Sequence, residues 1–297
     1  MTTLRLGTRG SKLALTQSEL VAALIRERHP GTEVELVTIA TAGDRDQTTA
    51  LSAGEGAGWF TTAIQQAIQA GKVDFAVHSY KDLPTKRPEG LIIAAVPLRE
   101  DPRDALVTNT GHTLHDLPRG TLVGTSSPRR EAQVREVRPD LEVRTIRGNV
   151  ETRIAKVDSG EYGAAVLALA GLKRLGVELR ASHVFGYEEM LPAPAQGALA
   201  VECRSDDAAT KEILASIDDP ELRLVVTAER VFLATIDGGC SFPAAAYAEH
   251  FGTTLKLHGL IATDGRIIRS KMAGPRETAG GLGRSLANEL MANAGLR

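Results

Sequence analysis

The chain has little cysteine, almost no net charge and no long apolar run, and each shortage closes off a class of protein. Cys203 and Cys240 are its two cysteines. Two thiols cannot make a disulfide framework, and this pair lacks any metal-ligand spacing, so no metal centre is expected. No apolar stretch approaches the roughly 20 residues that a membrane-spanning helix needs. The N-terminus has no apolar signal-peptide core, since Met1 leads almost at once into a predicted strand at Leu4. A formal charge of −2 at pH 7 offers no bulk attraction to nucleic acid or a membrane surface. A cytosolic protein is the expectation.

What is present fits a soluble globular protein: 42% hydrophobic and 24% charged residues. At 297 residues the chain is too long for one ordinary core, which points to two or three domains. The first two-thirds alternates strand and helix patterns. Strands are predicted at 4–7, 34–39 and 73–77, with helices from Ser11 to about His29 and over 60–70. This βαβαβ pattern implies a largely parallel sheet. Residues 41–58 form a polar, glycine-rich segment, long for a connecting loop, and such loops are usually mobile or functional.

A similar pattern restarts with strands at 122–124, 141–146 and 164–169 and helices at 128–138 and 150–159. Proline-rich passages at 97–104 and 191–197 read as one outward and one return crossing between two α/β halves. From Pro220 the style changes to a long helix, strands at 244–249, 254–262 and 267–273, and a final helix at 279–294. The expected division is residues 1–97 with 198–217, residues 103–191, and a small α+β domain over 220–297.

Polar clusters follow four of the strands: Thr8 to Ser11, His78 to Asp82, Thr125 to Arg130, and Arg147 to Asn149 with Arg153 one turn later. Ligands of open α/β sheets bind beyond the carboxyl ends of the strands, where helix N-termini add N–H donors and partial positive charge. Arginine suits bidentate recognition of carboxylate or phosphate. Arg9, Arg129, Arg130, Arg147 and Arg153 together imply a ligand with several negative groups, held in one cleft. Any one of them alone reads more simply as a solvated helix residue or a surface ion pair worth about 0–1 kcal/mol. Thr125 to Ser127 also reads as a cap before Pro128 at the first helical position.

Asp82 is a lone acid in this positive setting, where its charge is favoured. It is expected as a buried carboxylate that stabilises a cation formed in the reaction and handles its proton, with an ion pair to Lys81 or an arginine as the structural alternative. His78 reads as structural. Trp59 and Phe60 read as core, with closure over a planar ligand as the alternative. Cys240 sits after Gly238 and Gly239, which let the backbone expose the thiol as a nucleophile, metal ligand or attachment point. Against that stands the common role of free cysteine as a small core hydrophobe.

The runs His78 to Pro84, Glu100 to Ala105, Gly124 to Arg130, Arg147 to Asn149, Leu169 to Leu175, Gln196-Gly197 and Gly238 to Cys240 resemble the porphobilinogen deaminase (hydroxymethylbilane synthase) family, in the family's order along essentially the whole chain. The resemblance implies a transferase of tetrapyrrole, porphyrin and heme biosynthesis. Such an enzyme joins four porphobilinogen molecules with loss of ammonia and releases linear hydroxymethylbilane. It builds on a dipyrromethane cofactor held by a thioether to the cysteine matching Cys240. The acetate and propionate of every pyrrole would account for the arginines, and the azafulvene cation left by ammonia for the single carboxylate. By motif, Asp82 is the catalytic acid. Lys81, Ser127, Arg129, Arg130 and Asp104 would bind the cofactor, and Arg9, Ser11, Arg147, Arg153, Arg174, Asn149 and Gln196 the substrate. A cytoplasmic monomer that meets neither nucleic acid nor membrane is implied.

One departure stands out. Many relatives carry lysine before the Gly-aromatic pair, whereas this chain has Gly56-Ala57-Gly58-Trp59-Phe60, with Ala53 where another basic residue is common. The implied fold is two periplasmic-binding-protein-like (type II) α/β domains around a cleft, plus a small α+β C-terminal domain. Two rival readings remain at this level. One is a non-catalytic two-lobed anion-binding protein, which the absent signal peptide and the third domain disfavour. The other is a cysteine-nucleophile hydrolase, which needs a base near Cys240, and no histidine adjoins it in sequence.

Overall fold

A computed structural model describes residues 2–41, 61–236 and 242–296. In chain order its elements are β1 (Thr2–Thr8), α1 (Lys12–Arg28), β2 (Thr32–Thr38), α2 (Thr62–Gln69), β3 (Phe75–Ser79), β4 (Leu91–Ala95) and β5 (Asp104–Thr108). Then come β6 (Leu122–Gly124), α3 (Pro128–Val137), β7 (Glu142–Arg144), α4 (Val150–Asp158), β8 (Ala164–Ala168), α5 (Leu169–Arg174) and β9 (Ala181–Val184). The last third holds β10 (Leu199–Arg204), α6 (Ala208–Ala215), α7 (Pro220–Ile236), β11 (Ala244–Phe251), β12 (Thr254–Thr263), β13 (Arg266–Pro275) and α8 (Ala279–Asn293). None of the described helices is long and apolar enough to cross a membrane.

Contacts gather the chain into two compact units, residues 1–99 with 198–223 and residues 100–197 with 224–297. The first unit holds a five-stranded sheet of order β2-β1-β3-β10-β4. Here β1 runs parallel to β2 and β3, while β10 runs antiparallel to β3 and β4. One face packs Leu6, Val21, Ile25, Phe75 and Cys203. The other packs Ile64, Ile68, Val73 and Ala76. Cys203 is enclosed, and burial pushes its thiol up to about 11, so it behaves as a core residue.

The second unit repeats the plan with a sheet of order β7-β6-β8-β5-β9, in which β5 is the antiparallel strand. The largely parallel sheet expected from the sequence is therefore a mixed one, with a single reversed strand in each copy. Each reversed strand is the first after a proline-rich crossing, and neither is joined to a sheet neighbour by a crossover helix, the connection that parallel pairing requires. The same unit contains the antiparallel meander β11-β12-β13. Its core is Phe232 of α7 and Leu286 and Leu290 of α8, packed against Leu255, Leu257 and Ile261. Leu191, Ala245 and Leu260 join this meander to the segment that follows β9, beside Tyr187 and Tyr247 stacked with ring centroids 4.0 Å apart.

Candidate active site

In the first unit the loops expected to carry function are anchored from behind. Ser11 caps α1, its Oγ accepting from Ala14 N at 3.4 Å. Arg9, just before it, is half-buried. At the end of β3, Ser79 Oγ donates to Gln17 Oε1 at 2.9 Å and Tyr80 N donates to Ala198 O at 3.0 Å. Residues Tyr80–Asp82 then make one 3₁₀ turn. That turn gives Leu83 to the core and leaves Lys81 half-buried and Asp82 exposed. The expectation of a buried acid is corrected here: the turn ends before the chain returns inward at Leu83. Among the described residues no ion pair or hydrogen bond reaches the Asp82 carboxylate, so the ion-pair alternative finds no partner there.

His78 is buried, with Nε2 3.1 Å from Glu202 Oε2. Gln65 Nε2 donates to both Glu202 oxygens at 3.1 and 3.2 Å. This enclosed trio fits the structural reading of His78. Glu202 is a lone acid in the apolar run of β10, and that is the one signal the sequence carries for this trio.

In the second unit Arg129, Arg130 and Gln196 meet around Asp104. Arg129 Nη1 donates to Asp104 Oδ2 at 2.7 Å. Arg130 donates to Oδ1 from Nη2 at 2.6 Å and from Nε at 3.1 Å. Gln196 Nε2 donates to the same oxygen at 2.8 Å and to Pro102 O at 2.7 Å. Asp104 is 0% exposed, Arg129 4% and Arg130 6%. Burial by itself would raise the Asp104 pKa, but the charges and hydrogen bonds of the two arginines overturn it and hold the carboxyl well below its ordinary range. Burial also lowers the Arg129 pKa, with Asp104 opposing.

Asp104, expected among the cofactor contacts, is enclosed by its three partners, because its strand is covered on both faces and its oxygens are taken up by donors. Two guanidinium groups on one carboxylate leave an excess of positive charge. Arg129 Nε is buried and has no hydrogen-bond partner among the described residues. An internal site with surplus charge and an unused donor suits an anionic group.

Ser126 Oγ donates to Ile146 O at 2.5 Å, which ties the loop after β6 to the loop after β7, its parallel neighbour. Ser127 caps α3, its Oγ accepting from Arg130 N at 3.4 Å, with Pro128 at the first helical position. The cap reading of this segment is thus met, and Ser127 stands half-buried at a helix N-terminus. Asn149 caps α4, Oδ1 accepting from Thr152 N at 2.8 Å and from Thr152 Oγ1 at 2.7 Å, so its oxygen is committed to the helix. Arg153 Nε donates to Gly148 O at 2.9 Å. Arg147 is half-buried, and among the described residues no hydrogen bond or ion pair engages its guanidinium.

Arg174 and Gln196, expected at the substrate, are engaged on the chain crossings. Arg174 Nη2 donates to Gly197 O at 2.6 Å, and burial lowers its pKa to about 10 despite Glu100 nearby. The same carbonyl accepts from Glu100 N at 3.0 Å. Cys240, Ala53, Ala57, Trp59, Phe60 and residues 42–58 of the long loop lie outside the described residues.

Fold and site together define an α/β protein of repeated mixed sheets, in which two guanidinium groups converge on a buried carboxylate in the second unit. The family profile described as "Porphobilinogen deaminase, dipyromethane cofactor binding domain" matches residues 4–212, and "Porphobilinogen deaminase, C-terminal domain" matches residues 223–292. The chain is 48% identical to the porphobilinogen deaminase of Xanthomonas axonopodis pv. citri over 98% of its length and 96% of that protein. It is 49% identical, with the same coverage, to that of Xanthomonas euvesicatoria pv. vesicatoria. The chain belongs to the porphobilinogen deaminase family.

Among solved structures it is similar to the periplasmic VFT2 domain of BvgS from Bordetella pertussis, with a TM-score of 0.44, 13% identity, and coverage of 72% of this chain and 86% of that one. It is also similar to an ancestral arginine-binding protein bound to arginine, with a TM-score of 0.42, 17% identity, and coverage of 73% and 91%.

Proposed function

We propose that this chain condenses four porphobilinogen molecules stepwise, releasing ammonia each time, into linear hydroxymethylbilane on a dipyrromethane primer bound to Cys240 through a thioether. As a member of its family the chain is a transferase that acts on porphobilinogen and uses a dipyrromethane cofactor. The non-catalytic anion-binding alternative is not favoured.

The observation that carries the reading is the buried Asp104–Arg129–Arg130 cluster, whose surplus positive charge and unused Arg129 Nε–H fit the carboxylates of such a primer. When bound, the dipyrromethane supplies the pyrrole carbon to which new units add. Lys81, Ser127, Arg129 and Arg130 hold its acetate and propionate groups. Arg9, Ser11, Arg147 and Arg153 hold those of incoming porphobilinogen, with guanidinium forks matched to carboxylate geometry. Asp104, Gln196, Asn149 and Arg174 act one step removed, since their polar atoms fix the arginines, a helix cap and the return crossing.

Asp82 projects from an anchored turn with its carboxylate uncommitted among the described residues. It stabilises the cationic pyrrole left when ammonia departs and carries a proton on its carboxylate oxygens. General acid–base help of this kind is worth about 10²–10⁴-fold.

In this reading residues 1–97 with 198–217, 103–191 and 220–297 are three domains, the last bearing Cys240. The enzyme works as a cytoplasmic monomer apart from nucleic acid and membranes, and a net charge of −2 supports the last two points. Intact mass is the test. Active protein should be heavier than its sequence by two pyrrole units, located on Cys240 by peptide mapping. Active protein of unmodified mass overturns the proposal.

A further inference from the structure

The return crossing holds a backbone shape that its sequence does not favour. Ala195 has φ +61° and Gly197 φ +85°. Alanine resists the left-handed region because Cβ approaches the following carbonyl oxygen. Such strain persists only where surrounding contacts impose it. Between these two residues, buried Gln196 reaches Asp104 and Pro102 O.

A side chain of α7 grips this crossing at its strained residue. Glu229 is fully enclosed; its Oε2 accepts from Ala195 N at 2.6 Å and its Oε1 from Ala248 N at 2.9 Å. One carboxylate therefore joins three segments: the helix that leads toward Cys240, the strand that follows the cysteine segment, and the crossing that aims Gln196 at Asp104. From Asp104 the chain of contacts continues to Arg129 and Arg130.

We propose that Glu229 is a positioning residue for loading the dipyrromethane primer: it holds Ala195 in left-handed backbone so that Gln196 braces Asp104 and keeps the Arg129 and Arg130 forks aimed. The inference rests on the reading of Cys240 as the anchor and of the two arginines as primer contacts. Glu229→Gln conserves volume but turns one acceptor oxygen into a donor that faces a backbone N–H. A core residue with no positioning role would also lower stability when changed. The discriminating readout is therefore rescue at Ala195, where glycine removes the left-handed penalty.

The experiment uses the full chain prepared in its unloaded form, incubated with porphobilinogen, and follows by intact mass the rate at which two pyrrole units are gained. Glu229→Gln should load at least tenfold more slowly than wild type. The double variant Glu229→Gln/Ala195→Gly should return to within about threefold, and Ala195→Gly alone should load normally. A wild-type rate for Glu229→Gln, or a double variant as slow as the single one, overturns the proposal.

If Glu229→Gln shows no cooperative melt, Ala195→Val with Glu229 intact replaces it, because a β-branched residue tolerates φ > 0 poorly. That variant should load at least tenfold more slowly, and a normal rate sinks the idea. Cys240→Ser separates the two readings. It should gain no mass, and if it does gain mass the anchor assignment fails, whatever the Glu229 variants do.

Discussion

Asp104→Asn is the sharpest perturbation that the second unit allows. The side chain keeps its size, yet two guanidinium groups at 4% and 6% exposure lose their buried countercharge. Four N–H donations, from 2.6 to 3.1 Å, converge on the two Asp104 oxygens, and in the amide the donors at the oxygen replaced by NH₂ are opposed. Removing one partner of a buried ion pair costs about 3–5 kcal/mol, because the remaining charge cannot be hydrated. A domain of 150–250 residues shifts by about 2–4 °C per kcal/mol, so the melting temperature should fall by about 6–20 °C.

The sign with pH follows from the lowered pKa. A carboxyl whose folded value is depressed contributes stability that is fully present above its unfolded value, near 3.9, and lost as pH falls through the folded one. The difference between wild type and Asp104→Asn should therefore stay constant from pH 7 to about 5 and narrow only below about 4. Urea and thermal unfolding of the full chain, followed by circular dichroism across that range, measure both effects. A loss under about 1 kcal/mol at pH 7, or a gap that widens in acid, would refute the reasoning.

Two further outcomes follow from local geometry. Asp82→Ala should melt within about 0.5 kcal/mol of wild type, as an exposed side chain without described partners should, yet lose at least about 10²-fold in ammonia release; near-normal turnover moves the chemistry to another residue. Gly197→Ala places a Cβ 2.1 Å from Glu100 O at φ +85°, so the crossing must shift and stability should drop by more than about 1 kcal/mol in urea unfolding; an unchanged midpoint contradicts the close approach.

The parts of the fold written in local pattern were legible from sequence. Ser11, Ser127 and Asn149 announce helix starts because a short polar side chain before an apolar stripe satisfies end N–H groups, and all three cap the helices expected there. The C-terminal strands, with their alternating pattern, fall within a few residues of expectation. The reversed strands β5 and β10 were not legible, because strand direction depends on which segments pair across the sheet and not on periodicity. Nor was the burial of Arg129 and Arg130, whose partner Asp104 lies 25 and 26 positions away. Residue type alone credits such arginines to a ligand, and only packing shows that an internal acid aims them first. Glu229 is silent in sequence for the same reason: it accepts from backbone amides at Ala195 and Ala248, and no pattern in sequence announces a backbone partner.

The placement of β10 bears on the order in which the protein can be made. The sheet of the second unit draws on the continuous segment from β5 to β9, whereas the first sheet needs β10 between β3 and β4. On a ribosome, the N-terminal half emerges first yet lacks the interior strand β10 until residues 96–198 have followed, several seconds at roughly 5–20 residues per second. During that interval β3 and β4 carry open edges, the kind of surface that invites pairing with another chain. The later-made half can close its sheet before the earlier one, and a chaperone that shields nascent strands would find its longest-lived target in residues 75–95.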